Sequence, residues 1–270
     1  MARLSMNEMT TYRWSFEEDV AHYQAAGIKA MGVWRQKLSD YGEEKGVDLL
    51  HESGIAASSL LWAGGFTGSD GRSFRDSLED AVEAVRLAAV MSAPCLVVYT
   101  GARAGHTQNH VRRLVREALK EVCDLAGDLG VRLAIEPMHA GCAAEWTFLT
   151  TLDDTLELMD KVAHPALSLV FDTYHFGYQE DVLERVEQLA PRIAVVHLGD
   201  GKEPPQKEQN RSRLGEGNIR LPEIVAALAR GGYDGDYEVE LMGEDIENSC
   251  YKSLLEQSMH AYARLVPVLT

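Results

Sequence analysis

The sequence predicts an α/β protein built as one closed (β/α)8 TIM barrel spanning residues 1–270. Three observations predict it. Short apolar stretches alternate with longer stretches of helical period from end to end, eight of each, which is the count of such a barrel. No linker, low-complexity tract or charge block divides the chain. The rival doubly wound sheet opens on a glycine-rich turn, whereas the first apolar stretch here runs into Met6-Asn7-Glu8-Met9-Thr10-Thr11, with no G-x-G-x-x-G.

In chain order, strands are predicted at residues 4–6, 30–34, 56–61, 95–99, 132–136, 168–172, 194–197 and 237–241. Each is β-branched, apolar or aromatic for most of its length, as parallel strands covered on both faces should be. Helices are predicted at 16–26, 36–53, 73–91, 109–129, 151–162, 180–189, 221–230 and 248–266. In the third, Phe74, Leu78, Ala81, Val82, Val85 and Ala89 fall on one face. In the fourth, Val111, Leu114, Val115, Ala118, Val122, Leu125 and Leu129 do the same. Gly27, Gly54, Gly130 and Gly231-Gly232 stand where helices should stop. The longest polar insertion, 199–218, is rich in Lys, Glu, Gln, Asn and Pro, and a loop of that length in a barrel is expected to bind or cover a ligand.

Composition narrows the partners. Hydrophobic residues make up 46% and charged residues 25%, an ordinary globular balance. The formal net charge of −16 repels nucleic acid and anionic membrane surfaces, so neither is an expected partner. The longest uncharged stretches, 53–69 and 87–102, are interrupted by Gly, Ser or Pro and fall short of a membrane span. The first residues lack the apolar core of a signal peptide. Cys95, Cys123, Cys142 and Cys250 show no C-x-x-C spacing, so reduced thiols and a cytoplasmic location are expected.

The chemistry is expected at the C-terminal ends of the strands. The fifth strand ends at Glu136, the sixth at Asp172, the seventh at His197 and the eighth at Glu240. Each has an ordinary alternative. Glu136 would serve as a solvated strand terminus, Asp172 as a turn cap, His197 as a satisfied half-buried histidine, and Glu240 as a partner of a Lys or Arg at the rim, where neighbouring Glu238 shows that acidic residues come easily. Taken together, four metal-competent groups on four consecutive strands favour a shared cation. Without one, the clustered carboxylates would raise each other's pKa. The donor set suits Mn²⁺, Mg²⁺, Co²⁺ or Zn²⁺. Asp200 and Glu244, near the same rim, read as solvated.

At these residues the chain resembles the xylose isomerase-like TIM-barrel superfamily of sugar isomerases and epimerases. The nearest patterns within it are ketose 3-epimerases and inosose-isomerase-type proteins. The resemblance implies that Glu136, Asp172, His197 and Glu240 bind one divalent ion, Mn²⁺ first among the four candidates. It implies that His175, in Asp172-Thr173-Tyr174-His175, contacts substrate, and that Arg211, four residues before Gly215-Glu216-Gly217, does too. The chain departs from the pattern in a longer stretch between His197 and Arg211, and in Arg213-Leu214 before the turn. Trp62 is expected to bind substrate, with Trp14, Trp34, Phe66 and Trp146 as further pocket walls.

The implied reaction is isomerisation or epimerisation of a ketose or cyclitol ketone through an enediolate. Glu136 and Glu240 remove and return the proton, while His175 and Arg211 face the oxyanion. An alternative is a metal-dependent lyase or dehydratase on a keto-inositol or 3-oxo-glycoside. A less favoured one is an apurinic-site endonuclease-like phosphodiesterase, which needs more histidines than Gln209-Asn210-Arg211 and the early strands supply. A non-catalytic sugar-binding barrel is the fourth. The expected partner is a small sugar or cyclitol, and the resemblance adds a homodimer or homotetramer.

Overall fold

In the computed structural model, residues 3–206 and 209–265 are described. Eight parallel strands hydrogen-bond in chain order and close through β1 against β8. They are β1 (Leu4–Asn7), β2 (Ala30–Trp34), β3 (Ala56–Gly64), β4 (Cys95–Tyr99), β5 (Arg132–Ile135), β6 (Leu167–Asp172), β7 (Ile193–Leu198) and β8 (Tyr237–Val239). All eight coincide with the predicted strands, with ends that differ by a few residues. β5 stops just before Glu136 and β8 just before Glu240. The ladder nonetheless continues through both, since Glu136 N–H donates to the Val98 carbonyl and Glu240 N–H to that of Leu198.

The helices between them are α1 (Phe16–Ala26), α2 (Arg35–Tyr41), α3 (Glu43–Ser53), α4 (Phe74–Val90), α5 (Gln108–Asp128), α6 (Leu152–Val162), α7 (Thr173–Phe176), α8 (Val182–Leu189), α9 (Leu221–Arg230), α10 (Glu244–Glu247) and α11 (Tyr251–Leu265). Two start on capping boxes, Ser15 with Glu18 and Ser73 with Asp76, in which each partner satisfies an orphan amide of the other. The helix predicted over 36–53 is two helices. Gly42 takes φ +106°, outside the helical range, and breaks the run. The turns α7 and α10 lie on the strand-to-helix loops and had no periodicity to announce them. The helix predicted to reach Val266 is described from Tyr251 to Leu265, and Val266 lies outside the described residues. No described helix is long and apolar enough to cross a membrane.

Strand alternation sorts the side chains into two cores. Leu96, Val98, Leu133, Ile135, Leu169, Phe171 and Val196 face outward into the large core shared with the helices. Leu61, Cys95, Val97, Ala134, Val170, Ala194 and Val195 form a second cluster inside the barrel. Two positions beyond Ala134, Val170 and Val195, on the same inward parity, stand Glu136, Asp172 and His197. Glu240 follows Glu238 by the same step. The period of two therefore aims all four groups along the barrel axis.

Candidate active site

One ligand atom from each of Glu136, Asp172, His197 and Glu240 lies within 4.8 Å of the other three, and all four residues are buried. His197 Nδ1 is 3.2 Å from Glu136 Oε1 and 3.4 Å from Glu240 Oε2. Three carboxylates and one imidazole nitrogen converging in a buried site make a donor set that fits a divalent ion. This is the one such group among the described residues. His106 and His110, the histidines that a multi-zinc site would have to recruit, sit apart from it at the start of α5 and are not buried.

A cavity of about 230 Å³ opens on this cluster. Glu136 and Glu240 line it, together with His175, Arg211 and Trp62, whereas Asp172 and His197 do not. The predicted site residues thus divide into a pair facing the cavity and a pair behind. Trp62, Trp146, Met9, Met138 and Met242 supply the apolar wall. The Trp62 and Trp146 rings are 5.5 Å apart, and Trp34 extends the row at 6.0 Å from Trp62. Three expected wall residues do not line the cavity: Trp34 packs edge-on against Trp62, and the other two are elsewhere. Phe66 is buried in the outer core because its strand has already ended, and Trp14 packs on His22 and Tyr251.

Arg211 is buried beside the cluster. One guanidinium nitrogen is 2.9 Å from Asp172 Oδ2 and 3.0 Å from Glu240 Oε2, and it donates to the Glu240 carbonyl at 2.9 Å. The guanidinium lies 4.7 Å over the Tyr174 ring. The sequence argument required an added cation among the carboxylates. The fold already places one there, and it shapes the titration of the whole cluster.

Burial works against ionisation of Glu240, but Arg211 and His197 outweigh it and hold the carboxyl below its usual range. Burial pushes Asp172 up to about 7, against the pull of Arg211. Burial also opposes the charge on His197, yet Glu240 and Glu136 beside it keep its pKa well above the ordinary histidine value. His175 goes the other way: burial, then Arg211, hold it well below and therefore neutral. Its Nδ1 lies 3.5 Å from Cys142 Sγ, and its Nε2, on a cavity-lining ring, has no hydrogen-bond partner.

Three features escaped the sequence reading. Glu238 is wholly buried inside the barrel, not at the rim. Its parity with Glu240 was the available signal. Asn7 donates to Glu238 at 2.7 Å and to Glu240 at 3.4 Å, and no local pattern marks it. Asp200 is also buried, not solvated. Its carboxylate accepts from the backbone N–H groups of Gly201, Gly215, Gly217 and Ile219 and so fixes the loop that carries Arg211. Glu244 is exposed, as expected.

The chain is similar to a ketose 3-epimerase of Arthrobacter globiformis, 28% identical over 132 residues, 48% of this chain and 42% of that protein. The chain thus matches less than half the length of that relative. An inosose isomerase of Halalkalibacterium halodurans is 22% identical over 254 residues, 88% of this chain and 87% of its own. Among solved structures, a protein of Sinorhizobium meliloti 1021 superposes with a TM-score of 0.89 at 26% identity, over 97% of this chain and 98% of that one. An IOLI protein with a bound zinc atom superposes at 0.85 and 18% identity, over 99% of both chains, a likeness of fold. The model of the xylose isomerase-like TIM barrel matches residues 20–259, and with strands, closure and extent all in agreement the chain belongs to that family.

Proposed function

We propose that this protein is a divalent-metal-dependent epimerase or isomerase of a small ketose or cyclitol ketone. The observation that carries the reading is the division of the cluster: two glutamates line a cavity of about 230 Å³, with an aspartate and a histidine behind them. Similarity to ketose 3-epimerases and an inosose isomerase supports the substrate class.

Glu136, Asp172, His197 and Glu240 would hold the ion. Mn²⁺ is our first choice, with Mg²⁺, Co²⁺ and Zn²⁺ suited to the same donors. When bound, it supplies the Lewis acidity that makes a proton beside a carbonyl removable by a carboxylate. The chain does the rest. A substrate carbon between Glu136 and Glu240 meets a carboxylate on either face, so one removes its proton and the other returns one. Removal on one face and return on the other inverts the centre. Glu240, held ionised by Arg211 and His197, is ready to accept a proton. Cys142 keeps its proton because burial pushes it up to about 11, and it can donate to His175 Nδ1. That leaves the His175 Nε2 proton for the enediolate oxygen. Arg211 cannot give up a proton and serves as fixed positive charge. The tryptophan and methionine wall keeps water from the carbanionic carbon and packs against the C–H faces of the sugar.

The test is incubation of metal-loaded protein with a panel of ketoses and inososes in D₂O. The expected product has the substrate's mass plus one deuterium at the reacting carbon, and EDTA abolishes its formation. A product that has lost water or an aglycone would assign the lyase alternative. No exchange into any member, with metal bound, would leave a binding barrel and overturn the proposal.

A further inference from the structure

Glu238 stands one inward position below Glu240, and the proposed chemistry does not use it. Its carboxylate is buried at considerable cost unless its lone pairs are filled. They are filled from two other strands. Asn7 Nδ2 donates at 2.7 Å, Ser58 Oγ at 2.6 Å and Ser59 Oγ at 2.9 Å. A Cβ on Gly32 would lie 2.1 Å from Glu238 Oε1, so the second strand gives the carboxylate its room. Across the barrel the corresponding space is filled by Val97, Ala134, Val170 and Val195. Plain filling would have used more of the same.

The side of the carboxylate left open faces His197. Its Oε1 is 3.5 Å from His197 Nε2, and that nitrogen has no hydrogen-bond partner of its own. The opposite ring nitrogen, Nδ1, faces Glu136 and Glu240. We propose that Glu238 is a positioning residue: it accepts from the Nε2–H of His197, which keeps the proton on that nitrogen and turns the Nδ1 lone pair toward the carboxylates with which it would share an ion. A carboxylate behind a ligating histidine fixes its tautomer and ring orientation and strengthens it as a donor. Asn7 ties this support to the front of the site, because the same amide reaches Glu238 and Glu240. The inference rests on the metal reading above.

Zn²⁺ affinity, measured by competition with a chelating dye, and melting temperature in EDTA test it in Glu238→Gln and Ser59→Ala. Zinc binding is expected to weaken about 10- to 100-fold in Glu238→Gln and by less in Ser59→Ala. A purely structural carboxylate would lower the metal-free melting temperature and leave zinc affinity at the wild-type value. That result in the folded variants overturns the proposal, and if Glu238→Gln does not fold, Ser59→Ala decides by the same criterion. In zinc-loaded wild-type protein labelled with ¹⁵N-histidine, the resonances lost in His197→Gln should show metal on Nδ1 and a proton on Nε2. Zinc on Nε2 also overturns it. Wild-type protein that binds no divalent ion refutes the metal reading and this inference with it, whereas unchanged affinity in the variants refutes this inference alone.

Discussion

Replacing Arg211 by alanine removes the one guanidinium that touches both Asp172 and Glu240. Arg211 is 2% exposed, and without it two buried carboxylates are left with less positive charge than the fold provides. Breaking a buried pair from one side costs about 3–5 kcal/mol. An unfolding entropy of about 2.1 cal/mol/K per residue means that roughly 0.6 kcal/mol corresponds to one degree in a chain of this length. The melting temperature in EDTA should therefore fall by about 5–9 °C. The assay belongs at pH 8. Asp172 is pushed up to about 7 by burial even with Arg211 beside it, so at lower pH a proton would relieve the variant. A divalent ion at about 100 times its Kd stabilises any folded form by about 2.7 kcal/mol. At one fixed ion concentration it should raise the variant's melting temperature more than the wild type's, because in the variant it meets uncompensated carboxylates. A fall of less than about 2 °C in EDTA, or equal metal-induced rises, would refute the assignment of Arg211 as the internal countercharge.

Glu240→Gln keeps the size of the side chain and removes its basicity. Proton exchange into substrate should drop by about 10²–10⁴-fold while circular dichroism stays at the wild-type signal, and retained exchange would exclude Glu240 as an acid–base group. Trp62→Ala removes one wall ring, a contact of about 0.5–1.5 kcal/mol, so KM should rise roughly 2- to 10-fold with kcat nearly unchanged. A kcat loss of the same size would place Trp62 in the chemistry instead. Glu8 is buried, and burial, then Asp19, raises its carboxyl well above the usual range. The folded chain therefore holds the Glu8 proton more tightly than the unfolded chain does. The stability this gives is complete below about pH 4.3 and is lost as pH rises through the raised value, at up to about 1.4 kcal/mol per pH unit. Glu8→Gln lacks this loss, so urea unfolding from pH 5 to 8 should show the variant gaining on wild type as pH rises, and parallel profiles would count against it.

The barrel was legible because its signals are local. Apolar runs of four to six residues, helical stripes and glycine stops each announce themselves within one element. The four candidate ligands were legible because each stands where an apolar run gives out. Other features depend on pairs that no single segment contains. Arg211 as countercharge needs the loop after β7 folded back over Asp172, which the carboxylate of Asp200 and the backbone amides around it help to bring about, together with the Arg211 N–H bond to the Met242 carbonyl. The break at Gly42 needs a backbone angle rather than a composition. Glu238 was passed over although its parity with Glu240 was visible, because acidic residues at strand ends are ordinary and three of its partners, Asn7, Ser58 and Ser59, come from distant strands.

Those partners explain an asymmetry in the sequence. Strands β4 to β7 fill the inside of the barrel with Cys95, Val97, Ala134, Val170 and Val195. Strands β1 to β3 add Leu61 to that cluster but otherwise present Ser5, Asn7, Gly32, Ser58 and Ser59, all but Gly32 polar and all buried. None of these five is a candidate ligand, and on an apolar criterion they weaken the early strands. They make sense as the solvent for one carboxylate. Glu238 requires donors on one side and empty space on the other, and the hydroxyls, the amide and the missing side chain of Gly32 supply both. The reactive half of the barrel is therefore set by its quiet half. A substitution such as Gly32→Ala, at a residue that lines no part of the cavity, should displace Glu238 and with it His197, so that dye competition reads a weaker Zn²⁺ affinity than in wild type, and unchanged affinity in the folded variant would count against this link.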